Sequence, residues 1–395
     1  MAKKPSQFAL YILMFNMFIA MAGIGLVIPV MPQYLETFGV AGQALGFIIA
    51  SFALGQFLFS PLAGDLSDTF GRKKLIIVGL VIFSASQFWF GMATHEWMLY
   101  AARFISGIGG AFLIPATMAF VADITSLEDR GRGMGLLGAS MSLGFMIGPA
   151  IGGFLAKVSL TFPFYMAAIA AILSAVISFV ILPDIKNAIS VNPEMKKKRE
   201  NILVQMKNSI KTPYFMMLII IFVFSFGIAN FQTTFSLYVD HKYNYTPQDI
   251  AIVLTVGGFA GVIVQTLIVN KLFKRYGELN VILVSLVGAA LSLLAFFLVD
   301  GFVLVLLIAT IFSTATTLIR PAVNTVVSKL AGDEQGFAAG MNNAYMSLGN
   351  MVGPALAGMF FDININFPFV IGSFILLCSW GITIIWIKRK RPVIA

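Results

Sequence analysis

Residues able to take part in chemistry are few in this chain, and most of them lie at the ends of long apolar runs. The only histidines are His95 and His241, and the only cysteine is Cys378. The sequence has no nucleotide-binding glycine loop, no metal-ligand cluster and no nucleophile beside a base, so it predicts neither an enzyme nor a cofactor. Two arginines, Arg103 and Arg320, stand inside apolar runs, where a charged side chain normally needs a cavity or a partner.

The apolar runs that carry these residues are long enough to cross a membrane. Hydrophobic residues make up 59% of the 395 residues and charged residues 11%, more apolar surface than a water-soluble protein can hide. A spanning helix needs about 20 apolar residues. We predict an all-α membrane protein with twelve spans, near residues 8–30, 43–65, 74–93, 97–121, 133–155, 162–182, 213–237, 248–270, 279–299, 302–325, 336–361 and 367–387. The first run is too long for a signal peptide and predicts a retained helix.

The basic residues predict the orientation of these spans. All but four of the 26 Lys and Arg residues fall on one side when successive loops are assigned to alternate sides. Of the four, Lys157 and Lys242 lie in loops on the other side, and Arg103 and Arg320 lie within spans. The positive-inside rule makes the basic side cytoplasmic, with both termini there. The net charge of +9 is therefore a topology signal and does not indicate nucleic-acid binding.

One polar stretch, residues 184–212, divides the chain into two predicted bundles of six helices, residues 1–183 and 213–395. In its second part, three apolar residues have helical spacing beneath a cluster of lysines: Ile202, Met206 and Ile210. This pattern fits an amphipathic helix on an anionic membrane face, and it fits a solvated basic linker equally well.

The two halves also repeat each other in sequence. The segment GFMIGPAIGG at 144–153 recurs as GNMVGPALAG at 349–358. The segment GDLSDTFG at 64–71 falls on NKLFKRYG at 270–277, where only the last glycine is kept. A duplicated pair of six-helix bundles predicts a transporter, because cargo can bind between the halves near the midplane while they rock around it.

The segment GDLSDTFGRKK, residues 64–74, lies in the predicted cytoplasmic loop after the second span. Gly64 and Gly71 permit a tight turn, and Asp68 and Arg72 supply opposite charges at a helix junction. This spacing predicts a close-packed, charge-linked connection between two spans.

A second motif, LYAARFISGIGGA at 99–111, places Arg103 in the fourth span. Its glycines allow another helix to approach closely. A buried arginine costs a few kcal/mol even on mild insertion scales, which favours a functional role. Because Arg103 lies near the loop at His95, it could instead extend to the outer interface as a snorkelling side chain.

The repeated segment in the fifth and eleventh spans combines glycines with proline. Such residues bend and thin a helix, and we predict that they leave a seam against the other half of the chain. Simple helix packing would explain the glycines alone. The residues of the motif and its repeat are Gly144, Gly148, Pro149, Gly152, Gly353 and Pro354.

Together, these segments resemble the motifs of the major facilitator superfamily. GDLSDTFGRKK is similar to its signature loop, LYAARFISGIGGA to the span-four motif of proton-coupled members, and GFMIGPAIGG to the motif of its exporters. GIGLVIPVMP at 23–32 resembles the opening motif of the twelve-helix drug:proton antiporter branch. Nearly the whole chain is similar to Gram-positive multidrug efflux pumps of the NorA and Bmr type. The resemblance implies secondary active export of amphiphilic compounds by proton antiport with alternating access, driven by the proton gradient without a cofactor.

The resemblance also implies roles for individual residues. Asp68 would brace the neighbouring half in one conformation, and Arg72, Asp123 and Arg130 would complete a charge relay with the loop glycines. Arg103 would assist proton movement. Helices that line the cargo cavity in this family supply the substrate-binding candidates: Ile24, Ile28, Phe52, Gln56, Phe145, Gln232, Arg320 and Asn350. For the two phenylalanines, helix packing is an equally good interpretation.

The chain departs from the family pattern at two acidic positions. Gln232 and Thr317 occupy them, and neither side chain can ionise. The cavity should therefore favour neutral, zwitterionic or anionic amphiphiles over cations. Asp123, or Asp68 through the relay, remains as the proton-coupling acid. The alternative function is export or flipping of one endogenous amphiphile, such as a lipid-linked molecule. In either case we expect a monomeric, multi-pass protein of the cell membrane.

Overall fold

The computed structural model describes residues 7–40, 42–126, 129–184, 202–332 and 335–394. Within these ranges every regular element is helical. In chain order the elements are α1 (Gln7–Gly25), α2 (Met31–Glu36), α3 (Gly42–Phe70), α4 (Arg72–Gly91), α5 (Glu96–Ile124), α6 (Arg130–Leu155), α7 (Phe162–Ile181), α8 (Ile202–Ser209), α9 (Phe215–Tyr243), α10 (Pro247–Ile263), a π-helical turn (Val264–Ile268), α11 (Val269–Tyr276), α12 (Glu278–Ala295), α13 (Phe302–Ala331), α14 (Gln335–Ile363) and α15 (Phe367–Ile394).

Eleven of the described helices are long and apolar enough to cross a membrane. The predicted eleventh span corresponds to α14, which is long enough but is not one of the eleven. Its composition explains the difference, because Asn342, Asn343 and Asn350 lower its hydropathy. Twelve spans, and the cytoplasmic position of both termini, therefore remain predictions from the sequence.

By contacts between Cα atoms, the chain forms two compact units. Unit 1 consists of Met1–Ser190 with Val239–Thr255, and unit 2 of Val191–Tyr238 with Val256–Ala395. Unit 1 thus includes the adjoining ends of α9 and α10, which the sequence assigns to the second bundle. A contact with α6 accounts for this, because the Gln248 Nε2 donates a hydrogen bond of 2.7 Å to the carbonyl oxygen of Gly153.

In unit 1, α6 packs against α1 along a ridge of glycines. A Cβ atom on Gly144 would lie 2.4 Å from the Phe18 carbonyl oxygen, and one on Gly152 would lie 2.0 Å from that of Leu26. Both distances are far below van der Waals contact, so only glycine lets the two backbones approach this closely. The four-residue spacing of the motif is what builds the ridge.

A buried polar network also joins α1 to α7 in unit 1. Asn16 donates from Nδ2 to the Ser178 hydroxyl oxygen at 2.8 Å, and the Ser174 hydroxyl donates to Asn16 Oδ1 at 2.6 Å. All three side chains are completely buried. Hydrogen bonds between helices are worth about 0.6 kcal/mol each in membrane proteins, so this network adds modestly to stability and fixes the register of the two helices.

Unit 2 repeats the glycine packing of unit 1. A Cβ atom on Gly349 of α14 would lie 2.5 Å from the Phe222 carbonyl oxygen of α9, and one on Gly353 would lie 2.7 Å from that of Phe226. The helix pair α9 and α14 therefore corresponds to α1 and α6. The repeat seen in the sequence is a repeat of backbone packing.

A glycine begins the corresponding helix in each unit. Gly71 precedes α4 with φ +93°, and Gly277 precedes α12 with φ +77°. A Cβ atom would meet nothing within 4 Å at either site, so the constraint is backbone conformation and not space. This explains why the last glycine is kept where the rest of the loop motif is lost.

The short helix α8 falls in the predicted linker. The Ser209 and Tyr345 hydroxyl oxygens lie 3.1 Å apart, which ties its end to α14 in unit 2. Ile210 is exposed and Met206 is half-buried, while the side chain of Ile202 lies outside the described residues. A helix is present where the spacing predicts one, and its binding to a membrane surface remains a prediction.

Candidate functional site

The predicted charge relay lies where α4 and α5 meet in unit 1. Arg72 Nε forms an ion pair with Asp123 Oδ2. Arg130 Nη2 donates a hydrogen bond of 3.0 Å to the carbonyl oxygen of Ala122, next to that pair. Gly64 and Asp68 lie within α3, but the surroundings of Gly64 and the side chain of Asp68 are outside what the structure describes. The structure thus brings together three of the relay residues, and their role in transport remains a prediction.

Arg103 lies in the core of unit 1, with only 4% of its surface exposed. Its guanidinium carbon lies 4.6 Å from the centroid of the Phe90 ring, a cation–π contact. Its Nη2 has no hydrogen-bond partner among the described residues. The side chain therefore does not extend to the outer interface, and the snorkelling alternative is wrong for the described structure.

An aromatic cluster holds the ring beneath Arg103. Phe90 contacts the rings of Phe164 and Tyr34, and the Tyr34 hydroxyl donates to the Phe90 carbonyl oxygen at 2.8 Å. Burial raises the pKa of the Tyr34 phenol, so this group remains a neutral donor. Phe90 was not a predicted site residue, and its sequence position on an apolar helix carries no signal for this contact.

Two substrate candidates, Phe52 and Gln56, face the glycines of α5 within unit 1. A Cβ atom on Gly110 would lie 3.5 Å from the Phe52 ring and 3.6 Å from Gln56 Nε2. One on Gly107 would lie 2.1 Å from the Phe52 carbonyl oxygen. Helix packing therefore accounts for the position of Phe52, while both side chains keep part of their surface accessible.

The glycines of the exporter motif face α1 of the same unit, whereas the sequence predicted a seam against the other half. Gly148 would place a Cβ atom 2.7 Å from the Ala22 carbonyl oxygen. The reason is their spacing of four residues, which places them on one ridge of α6. Among the glycines of the motif, only Gly153 lies against α10, at Pro247 and Ala251. Pro149 lies inside α6, and Pro354 lies at the same place inside α14.

Three further candidates of unit 1 lie beside this packed pair. Ile24 near the end of α1, Ile28 in the following turn and Phe145 on α6 are each half-buried. The carbonyl oxygen of Phe145 would lie 2.9 Å from a Cβ atom on Gly25. They form part of the surface around the α1–α6 contact.

The other three substrate candidates belong to unit 2. Gln232 on α9 and Asn350 on α14 are half-buried, and Arg320 on α13 is exposed. Thr317, one turn before Arg320, packs against α10, since a Cβ atom on Gly261 would lie 2.7 Å from its Oγ1. The eight candidates are thus divided between the units, five in one and three in the other.

Two polar features were missed by the sequence analysis. On unit 2, Asn342 of α14 donates from Nδ2 to Asn324 Oδ1 of α13 at 3.1 Å. On unit 1, a cavity of about 580 Å³ is lined by Gln33, Glu36, Thr37, Leu160, Asp240 and Asn244. The hydrogen bond between the asparagines had one sequence signal, which was an asparagine inside each of two neighbouring apolar runs. Nothing in the sequence relates Glu36 to Asp240.

The chain matches known proteins over almost its full length. It is 41% identical over 388 residues to multidrug resistance protein 2 of Bacillus subtilis (strain 168), covering 97% of this chain and 96% of the relative. It is 35% identical over 382 residues to the quinolone resistance protein NorA of Staphylococcus aureus (strain MRSA252), covering 97% of each chain.

Solved structures show the same fold at low sequence identity. A bacterial homologue of the human lysosomal transporter Spinster superposes with a TM-score of 0.81 at 14% identity, covering 98% of both chains. The nucleoside transporter NupG superposes with a TM-score of 0.78 at 14% identity, covering 96% of this chain and 99% of the other. These helices form a multi-pass membrane protein. The family described as Major Facilitator Superfamily matches residues 13–349 and again 217–395, and the chain belongs to that family, as its motifs predict.

Proposed function

We propose that this protein is a multidrug exporter that moves amphiphilic compounds out of the cell by proton antiport. The observation that carries the proposal is the 41% identity, across 97% of the chain, to a protein named for multidrug resistance. The repeated glycine packing of α6 with α1 and of α14 with α9 supports it, because duplicated bundles suit alternating access.

Proton coupling is the part of the proposal that rests on the charge relay. Gln232 and Thr317 cannot bind protons, whereas the carboxylate of Asp123 is held by Arg72. Protonation of Asp123 would remove its charge and release Arg72, which lies at the start of α4. A proton arriving from one side could thereby change the packing of the helix ends.

The experiment is expression in a bacterial strain without its own drug pumps, followed by measurement of resistance and dye efflux. Ethidium, a fluoroquinolone and a neutral dye sample three charge types. Export of several unrelated compounds, abolished by a protonophore, is the expected result. Absence of export for all three, with the protein present in the membrane, would contradict multidrug transport.

A second candidate is export or flipping of one endogenous amphiphile, such as a lipid-linked molecule. The observation that favours it is the replacement of both family acids by Gln232 and Thr317. Deletion of the gene would then change the lipid profile of the host without changing its drug resistance. Under either function we propose that the protein acts as a monomer in the cell membrane and uses the proton gradient without a cofactor.

A further inference from the structure

One face of α13 in unit 2 packs against α10 in its first part and is exposed in its second part. Ser313, Thr317, Arg320 and Asn324 recur at spacings of four, three and four residues, which places them on one side of the helix. The first two pack on α10, because Cβ atoms on its Gly257 and Gly261 would lie 3.1 Å from Ser313 Oγ and 2.7 Å from Thr317 Oγ1. Arg320 and Asn324 are exposed.

The helix that covers this face is interrupted where Arg320 begins. One turn after Gly261 the backbone widens into the π-helical turn Val264–Ile268, which contacts α13 and has no buried residue. The two helices run in register from Gly257 to Gly261, so the turn lies at the level of Arg320 and Asn324. Single π-helical turns of this kind are frequent at functional sites.

Asn342 of α14 orients the amide of Asn324. Its Nδ2 donates to Asn324 Oδ1 at 3.1 Å, and Asn342 is itself only 8% exposed. Because the amide oxygen of Asn324 is thus occupied, its NH₂ group is the part left for a ligand. Asn342 Oδ1 is buried and has no hydrogen-bond partner in the part of the chain that the structure describes.

Arg320 supplies the charge of this surface. Within the described ranges no carboxylate forms an ion pair with it. The preceding residue of the same face, Thr317, is neutral. A guanidinium presents N–H donors in a planar fork that matches the two oxygens of a carboxylate, and a neighbouring amide NH₂ can donate to the same group.

We propose that Arg320 and Asn324, with Asn342 as the positioning residue, form a binding site for the oxyanion of an amphiphilic ligand, a carboxylate fitting best. The inference rests on the proposed function, in that the ligand is cargo. It adds Asn324 to the candidates for substrate binding, gives Asn342 the role of positioning Asn324, and assigns a charge class to the substrate.

The test compares two ligands that differ only in the oxyanion. Binding of norfloxacin and of its methyl ester to the purified full chain in lipid-free detergent would be measured by fluorescence. The acid should bind the wild-type protein about tenfold more tightly than the ester, the ratio expected for one charge-assisted hydrogen bond or more. Arg320→Gln and Asn324→Leu should lower the acid-to-ester affinity ratio from about ten to about one.

Asn342→Leu should reduce the preference for the acid although Asn342 does not touch the ligand. The acid-to-ester ratio is the readout here, since a general loss of structure would weaken both ligands equally. Thr325→Val is the matched control on the same helix, because the Thr325 hydroxyl donates to the Pro321 carbonyl oxygen at 2.9 Å. If Arg320→Gln does not fold, Arg320→Lys keeps the charge, loses the fork and should lower the ratio in part.

An anionic lipid could supply the same chemistry as a carboxylate drug. Competition in vesicles of phosphatidylcholine with and without phosphatidylglycerol separates the two sources. Displacement of the acid by phosphatidylglycerol from wild type but not from Arg320→Gln supports the site and names lipid phosphate as its ligand. No displacement, with the acid preference intact, supports a carboxylate substrate.

Equal affinity of the wild-type protein for acid and ester would overturn the inference, as would equal loss of both ligands in Asn324→Leu. Export assays distinguish a protein that lacks the oxyanion site from a protein that lacks the proposed export function. A protein that exports ethidium and a neutral dye without preferring the acid retains its function and lacks the oxyanion site. A protein that binds the acid selectively but exports nothing retains the site and refutes export.

Discussion

At the scale of single residues, Arg103 shows how charge and burial oppose each other. Its guanidinium lies in the core of unit 1 with the Phe90 ring as its described contact. A cation–π contact is worth about 0.5–2 kcal/mol, whereas a buried charge without an ionic partner costs several kcal/mol. Packing alone would favour an apolar side chain here, so we infer that Arg103 is retained for function.

Arg103→Met should therefore stabilise the protein while reducing export to background. The thermal unfolding midpoint in detergent should rise, corresponding to about 1 kcal/mol or more. Asn16→Ala provides the contrast, because it removes the buried bonds to Ser174 and Ser178 and should lower stability by about 1 kcal/mol. A lower midpoint for Arg103→Met with unchanged export would assign Arg103 a purely structural role.

The ion pair between Arg72 and Asp123 carries the prediction about protons. Asp123→Asn should abolish export driven by a proton gradient in inverted vesicles, since an amide neither ionises nor holds Arg72 by charge. Substrate binding should persist. Asp129→Asn, on the exposed turn before α6, is the control and should export normally. Full gradient-driven export by the Asp123 variant would place the coupling acid elsewhere.

At the scale of elements, α6 contains glycines with opposite requirements. Gly152 lies against the α1 backbone, where a Cβ atom would be 2.0 Å from the Leu26 carbonyl oxygen. Gly138 would place a Cβ atom in open space. Gly152→Ala should separate the helices and destabilise the protein by about 1–3 kcal/mol. Gly138→Ala should stabilise it by about 0.5–1 kcal/mol through helix propensity.

Thermal unfolding of both variants in the same detergent measures this difference, with export as a second readout. If the two glycine-to-alanine substitutions change stability in opposite directions, the cause is the tertiary contact with α1, because the gain in helix propensity is the same for both. Equal effects would show that α1 and α6 do not pack through Gly152 in the membrane.

At the scale of the whole molecule, we predict that the distribution of charge in the spans determines which substrates are exported. Arg103 and Arg320 are the basic residues within the apolar spans, and Gln232 is neutral. Gln232→Glu should restore an acidic group and increase export of ethidium, while a neutral dye should be unaffected. Efflux from cells loaded with each compound provides the measurement. No gain for any cation would contradict the assignment of substrate class by charge.

The fold could be predicted from the sequence because each of its signals lies within one continuous segment of the chain. Apolar runs, the positive charge of alternate loops and the repeated glycine-proline segment are all continuous in the chain, so family and helical class could be predicted and are confirmed. The polar α14 shows the limit, because its asparagines weaken the hydropathy signal of a long helix. A candidate site residue such as Arg320 was recognisable as a charge in an apolar run.

What the sequence by itself determined is the helical membrane architecture, the duplicated halves and the family. Only the tertiary structure decided that Arg103 is buried over Phe90, that the exporter-motif glycines pack on α1, and that Asn342 orients Asn324. The physical reason is the separation along the chain of the residues that interact. Helix formation and membrane insertion depend on neighbouring residues in one segment, whereas the partner of a buried side chain depends on which helix face another segment presents to it.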